Sequence, residues 1–87
     1  MPVFFPELPA RCTAVATVAF DAYYNGDRII CEISAEALND HFGAVSFSSS
    51  DLVAAFERNR FLIETVARAV LPARAPAGRC LLVTADF

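Results

Sequence analysis

The chain contains no lysine, and its seven arginines are scattered from Arg11 to Arg79. With a net charge of −3 there is no basic run to neutralise phosphates, which argues against a nucleic-acid binder. There is one histidine, His41, and no CxxC among the three cysteines, Cys12, Cys31 and Cys80. That set is too small and too badly spaced for a structural zinc site. No run of about 18 apolar residues exists to form a membrane-crossing helix. The opening MPVFFPELPARC lacks a basic segment and is cut by three prolines, so it does not read as a signal peptide. Cys31 and Cys80 fall inside expected strands, where a free thiol behaves as a small hydrophobe. A reducing, cytoplasmic setting is expected. No cofactor signature is visible, and none is expected to be needed.

What the chain has in excess is apolar surface. Its hydrophobic fraction is 56% and its mean hydropathy +0.46, against roughly 45–50% apolar usage in typical soluble domains. Sixteen alanines contribute, but Phe, Val, Leu and Ile are plentiful too. At 87 residues the chain is a single domain, 1–87. A small domain with more apolar surface than it can bury is expected to self-associate as a homodimer.

Asn25-Gly26 is the strongest local signal. A type I′ turn needs positive φ at both central residues, so segments 13–22 and 28–33 read as a hairpin. A two-residue turn pairs Phe20 with Cys31 and Val18 with Ile33. Ala16, Val18, Phe20, Ile29, Cys31 and Ile33 then share one face. The other face carries Val15, Thr17, Ala19, Asp21, Ile30 and Glu32, and is only half polar. Residues 1–11 are expected to supply a short edge strand. Ser34 caps a short helix over 35–42 that Gly43 ends. A long helix is expected over 51–71, capped by Ser48 to Ser50 and stopped by Pro72. Its inward stripe is Leu52, Phe56, Ile63, Val66, Ala67 and Val70. A loop covers 72–78 and a last strand 79–84, placed beside strand 13–22. The fold class is therefore α+β: a small antiparallel sheet of three or four strands with two helices packed on one face, in the order β-β-α-α-β.

Within that long helix, FERNRFLIE (56–64) places a polar pair where apolar packing is expected. Asn59 falls inside the apolar arc and Arg60 at its edge, one turn before Glu64. A buried Asn must find partners or cost about 1–3 kcal/mol, so the structural reading is a tie from the helix to a loop or strand end. Arg60 then packs its stem and pairs with Glu64 or Asp86. The sharper reading is a binding site for an anionic ligand, or an enzymatic site, built on Asn59, Arg60, Glu64 and Asp86. No base or nucleophile accompanies that set, so no catalytic or metal-ligating residue is assigned. His41, Cys12, Tyr23-Tyr24 and Phe61 each read more simply as surface or packing residues than as a site.

Three runs, CEISAEALNDHFG (31–43), FERNRFLIETVA (56–67) and the terminal TADF, carry a family resemblance. Ser34, Glu36, Ala37 and Leu38 form one motif. Phe56, Asn59, Arg60, Ile63, Glu64 and Ala67 form the second, and Thr84, Asp86 and Phe87 the third. In these positions the chain resembles the short bacterial proteins of domain-of-unknown-function family 1488. The resemblance implies a small α+β protein and carries no activity to transfer. It also suggests that the chain end folds back, with Phe87 packed and Asp86 meeting Arg60.

The function these observations favour is a non-enzymatic cytoplasmic binding or interaction module, homodimeric and with an unknown protein partner. The rival from another class is the small-ligand or enzymatic site around Asn59 and Arg60. A transcription-linked nucleic-acid binder is the third reading, and the charge argues against it.

Overall fold

The computed structural model describes residues 3–87, the Ala75 side chain excepted. Met1 and Pro2, at the start of the expected edge strand, lie outside the described residues. The chain forms a mixed sheet with all its helices on one face. The strands are β1 (Val3–Phe4), β2 (Arg11–Cys12), β3 (Thr17–Tyr24), β4 (Asp27–Ser34) and β5 (Arg79–Leu82). The helices are α1 (Ala35–His41), α2 (Ser49–Arg58) and α3 (Arg60–Arg74).

The hairpin forms as its turn dictates. Asn25 and Gly26 adopt φ of 55° and 81°, the left-handed pair of a type I′ turn. Phe20 faces Cys31 and Val18 faces Ile33 across the ladder. Ala16 is not part of the inward face; it sits in the β2–β3 turn with φ 59°. Both short N-terminal strands lie antiparallel along the same edge of β3, Val3 opposite Tyr24 and Arg11 opposite Ala19. The expected edge strand is thus split by Pro6 and Pro9, which cannot donate to a ladder.

Three corrections follow. β5 lies beside β4, not beside β3, and runs parallel to it, with Cys31 opposite Cys80 and Ile33 opposite Leu82. The chain leaves β4, crosses the sheet through the three helices and returns in the same direction, so the sheet is not purely antiparallel. The long helix is two helices, broken at Asn59. Pro72 does not end α3, which runs on to Arg74 before a 3₁₀ turn at Ala75–Ala77.

The break at Asn59 has a local cause. In an unbroken helix the Asn59 N–H would bond to the Ala55 carbonyl. Instead the Asn59 side chain takes that carbonyl at 2.9 Å, and the backbone N–H turns to Phe56 at 3.0 Å. A side-chain amide competing for a backbone acceptor ends the regular ladder. α3 restarts with the Ile63 N–H on the Asn59 carbonyl, 3.1 Å.

The core lies between the sheet and the helices. Val18, Phe20, Ile29, Cys31, Ile33 and Leu82 from the strands meet Leu38, Leu52, Phe56, Ile63 and Leu71 from the helices. Phe20 and Phe56 stack at 4.9 Å between ring centroids. Ser34 caps α1 by accepting from the Ala37 N–H at 3.2 Å, and Ser48 caps α2 through Asp51 at 3.3 Å. After β5 a 3₁₀ turn at Thr84–Asp86 folds the end back against α1, where Phe87 meets Phe42 edge-on at 5.1 Å.

Candidate functional site

The expected site residues fall into two separate clusters. Arg60 opens α3 and lies over the Phe56 ring, 5.3 Å from its centroid. Its Nε donates to Glu64 at 2.9 Å and its Nη1 to both Glu57 oxygens at 3.3 Å. Its Nη2 reaches the Pro6 carbonyl at 3.4 Å. Burial opposes its charge, but the hydrogen bonds to Glu64 and Glu57 outweigh it and push its pKa up. Asn59 belongs to the helix junction: its Nδ2 also donates to Phe42 at 3.3 Å, tying α2 to the end of α1.

Asp86 belongs elsewhere. It pairs with Arg74, not with Arg60: Nη2 to Oδ1 is 2.8 Å and Nη1 to Oδ2 3.1 Å. Arg74 also donates to the Leu81 carbonyl at 2.9 Å, so the end of α3 grips β5 and the C-terminal turn together. The expectation about Phe87 packing holds, while the one about Asp86 required the path of the chain after β5.

Around Arg60 an open groove of about 650 Å³ runs between α3 and the Pro6–Pro9 segment. Leu8 and Phe61 line it beside Glu57 and Glu64, and Phe61 is 79% exposed. Glu57 was missed by sequence reasoning, although its i, i+3 spacing to Arg60 could have found it. With Glu57 and Glu64 holding its donors, the guanidinium is a clip between α2, α3 and the N-terminal segment. An incoming anion would have to displace two carboxylates.

The opposite face of the sheet is built differently. Among the described residues no helix covers it, yet two of its carboxylates are buried: Asp21 is 3% exposed and Glu32 6%. Asp21 accepts from Arg28 at 3.0 Å and from Arg11 at 3.4 Å. Glu32 pairs with Arg79 and accepts from the Thr17 hydroxyl at 2.6 Å, which in turn meets Thr13 at 2.7 Å. The arginine side chains thus lie across the sheet and cover the carboxylates.

Between these pairs runs an apolar stripe. Phe4 and Tyr23 are partners in one row of the ladder, Ile30 stands one row on, and Leu81 one row further. Phe4 is 63% and Leu81 50% exposed. Arg28 and Arg79 lie on one flank of the stripe and Asp21, Glu32 and Arg11 on the other, so the Arg28–Asp21 and Arg79–Glu32 pairs cross it and Arg11–Asp21 does not. Period-2 alternation placed Asp21, Ile30 and Glu32 on this face from sequence. Arg28 follows from the same alternation, while Arg11 and Arg79 could not be placed without the register of β2 and β5.

The family model described as Protein of unknown function (DUF1488) matches residues 3–82. The chain belongs to the DUF1488 family. The match spans the split-helix motif around Asn59 and the whole sheet, and stops before the TADF end of this DUF1488 chain. No curated protein and no solved structure matches it. Among the described residues, no three of His, Cys, Asp and Glu come together to hold a metal ion. No helix is long and apolar enough to cross a membrane.

Proposed function

We propose that this DUF1488 chain is a non-enzymatic interaction module of the cytoplasm that works as a homodimer, two copies meeting through their open sheet faces. The single observation that carries the reading is the charge-flanked stripe of Phe4, Tyr23, Ile30 and Leu81. A twofold axis lying along that stripe stacks it on itself. The same rotation sets the Arg28–Arg79 flank over the Asp21–Glu32 flank of the other copy. The two flanks are therefore complementary in charge, as an isologous interface needs. A twofold across the stripe would oppose arginine to arginine and is disfavoured.

The contact is small. Four short strands spaced about 4.8 Å apart offer a patch at the low end of specific interfaces, below roughly 1,200 Å² in total. Association is expected to be reversible and concentration-dependent. The free thiols at Cys12, Cys31 and Cys80 suit a reducing compartment. Sedimentation velocity from low to several hundred micromolar tests the proposal. The parent chain is expected to shift from monomer to dimer, and Leu81→Arg to remain monomeric with an unchanged melting temperature. A parent chain that stays monomeric throughout would sink it.

A further inference from the structure

We propose that Cys31 and Cys80 are an oxidation site, a buried dithiol that a peroxide converts to an intramolecular disulfide. The two cysteines are about fifty residues apart in sequence, yet stand opposite each other on the parallel strands β4 and β5. Both side chains point into the core with Ile33 and Leu82, and both thiols are free. Adjacent strands run about 4.8 Å apart, inside the roughly 4.4–6.8 Å between α-carbons that a disulfide spans. Closing the bond needs side-chain rotation and an approach of the two β-carbons to within about 4.5 Å.

The surroundings assign unequal roles. The thiols are paired across the β4–β5 ladder, close enough for each to act on the other's ionisation. Contact with the Cys31 thiol draws the Cys80 pKa down; burial opposes the shift, and the nearby Arg74 guanidinium assists it. The same contact, with burial, pushes Cys31 upward. Arg74, bonded to the carbonyl of the adjacent Leu81 at 2.9 Å, sets a cation beside Cys80 and none beside Cys31, so Cys80 is the nucleophile and Cys31 the resolving thiol. In the first step the Cys80 thiolate sulfur attacks a peroxide oxygen. The O–O bond breaks, giving a sulfenic acid and hydroxide, which leaves as water on protonation. In the second, the Cys31 sulfur attacks the Cys80 sulfur, and the S–O bond breaks. The departing hydroxide takes the Cys31 proton as a second water. Two electrons pass from the thiols to the peroxide, and each step balances.

Because Cys31 is 0% and Cys80 1% exposed, the reaction waits on local opening. The Arg74–Asp86 pair, which holds the C-terminal turn against β5, is the contact whose opening would expose this end. The test treats the folded parent chain with hydrogen peroxide, blocks remaining thiols with an alkylating agent in denaturant, and maps peptides without reduction. The expected result is a loss of about 2 Da, one disulfide's two hydrogens, and a single linked peptide pair holding Cys31 and Cys80. Cys12 remains outside that link. The oxidised protein is expected to melt higher than the reduced one, and dithiothreitol to reverse the shift. Three results would each overturn the proposal: both thiols remaining alkylatable, a link through Cys12 instead, or an oxidised chain that has lost its cooperative melt.

Discussion

Asn59 occupies the Ala55 carbonyl with its side-chain amide, 2.9 Å away, and so ends the helix that its own backbone would have continued. The same amide reaches Phe42 at 3.3 Å, where α1 ends. Asn59→Ala removes both bonds and is expected to cost about 1–2 kcal/mol. Asn59→Asp is expected to cost more at neutral pH, because it sets a carboxylate against two carbonyl oxygens. Urea unfolding of the three proteins checks this. An Asp variant as stable as the parent would show that the amide donates nothing that matters.

Asp86 is held by both arms of Arg74. Those bonds are the main cause that brings its pKa below the ordinary 3.8, with burial opposing them and the Val83 N–H assisting. A folded-state pKa below the unfolded one adds stability that is complete above the unfolded value. That stability is lost as pH falls through the folded one. Asp86→Asn is expected to lose about 1 kcal/mol at pH 7, modest because Arg74 is partly exposed. The gap between parent and variant should narrow as pH drops below about 4. Thermal melts from neutral pH to about pH 2.5 measure it; a gap that is constant over that range would refute the linkage.

How much of this was legible in the sequence depended on the range of the interaction. The hairpin was readable because two independent rules, the Asn25-Gly26 turn and period-2 alternation, demand the same register. Arg60 and Glu64 were readable because a helix brings i and i+4 together whatever surrounds it. The direction of β5 was not readable. Arg79–Leu82 is four residues long, carries no turn signal, and its pairing depends on where three helices deliver it. Asp86 was assigned the wrong arginine for the same reason. Asn59 was visible as a polar residue in an apolar arc. Its role at a break was hidden because a wheel drawn through the segment assumes the helix is continuous.

The two arginines on Asp21 should behave non-additively. Arg11 and Arg28 are about half exposed, while the carboxylate they share is buried. Removing either arginine leaves the other in place and is expected to cost no more than about 1 kcal/mol. Removing both strands a buried charge without a counterion, expected to cost about 3 kcal/mol or more. A double-mutant cycle by chemical denaturation supplies the coupling. Simple additivity would mean that water or another group compensates Asp21.

Ala16 offers a separate test of backbone strain. Its φ of 59° puts an L-residue in left-handed space, which costs roughly 1–2 kcal/mol without glycine. It is held there by the turn joining β2 to β3. The Thr13 N–H bonds to the Thr17 carbonyl at 2.8 Å, and the Ala16 N–H to the Thr13 carbonyl at 3.2 Å. Ala16→Gly relieves the strain but gives the unfolded chain more freedom, worth about 0.4–1 kcal/mol in the opposite direction. The net expectation is a gain of a few tenths to about 1 kcal/mol. Ala14→Gly, two residues earlier and without positive φ, has no strain to relieve and is expected to lose about 0.4–1 kcal/mol. Opposite signs for the two substitutions, read from thermal midpoints under identical conditions, identify strain as the cause. Equal losses would show that the turn holds Ala16 without cost.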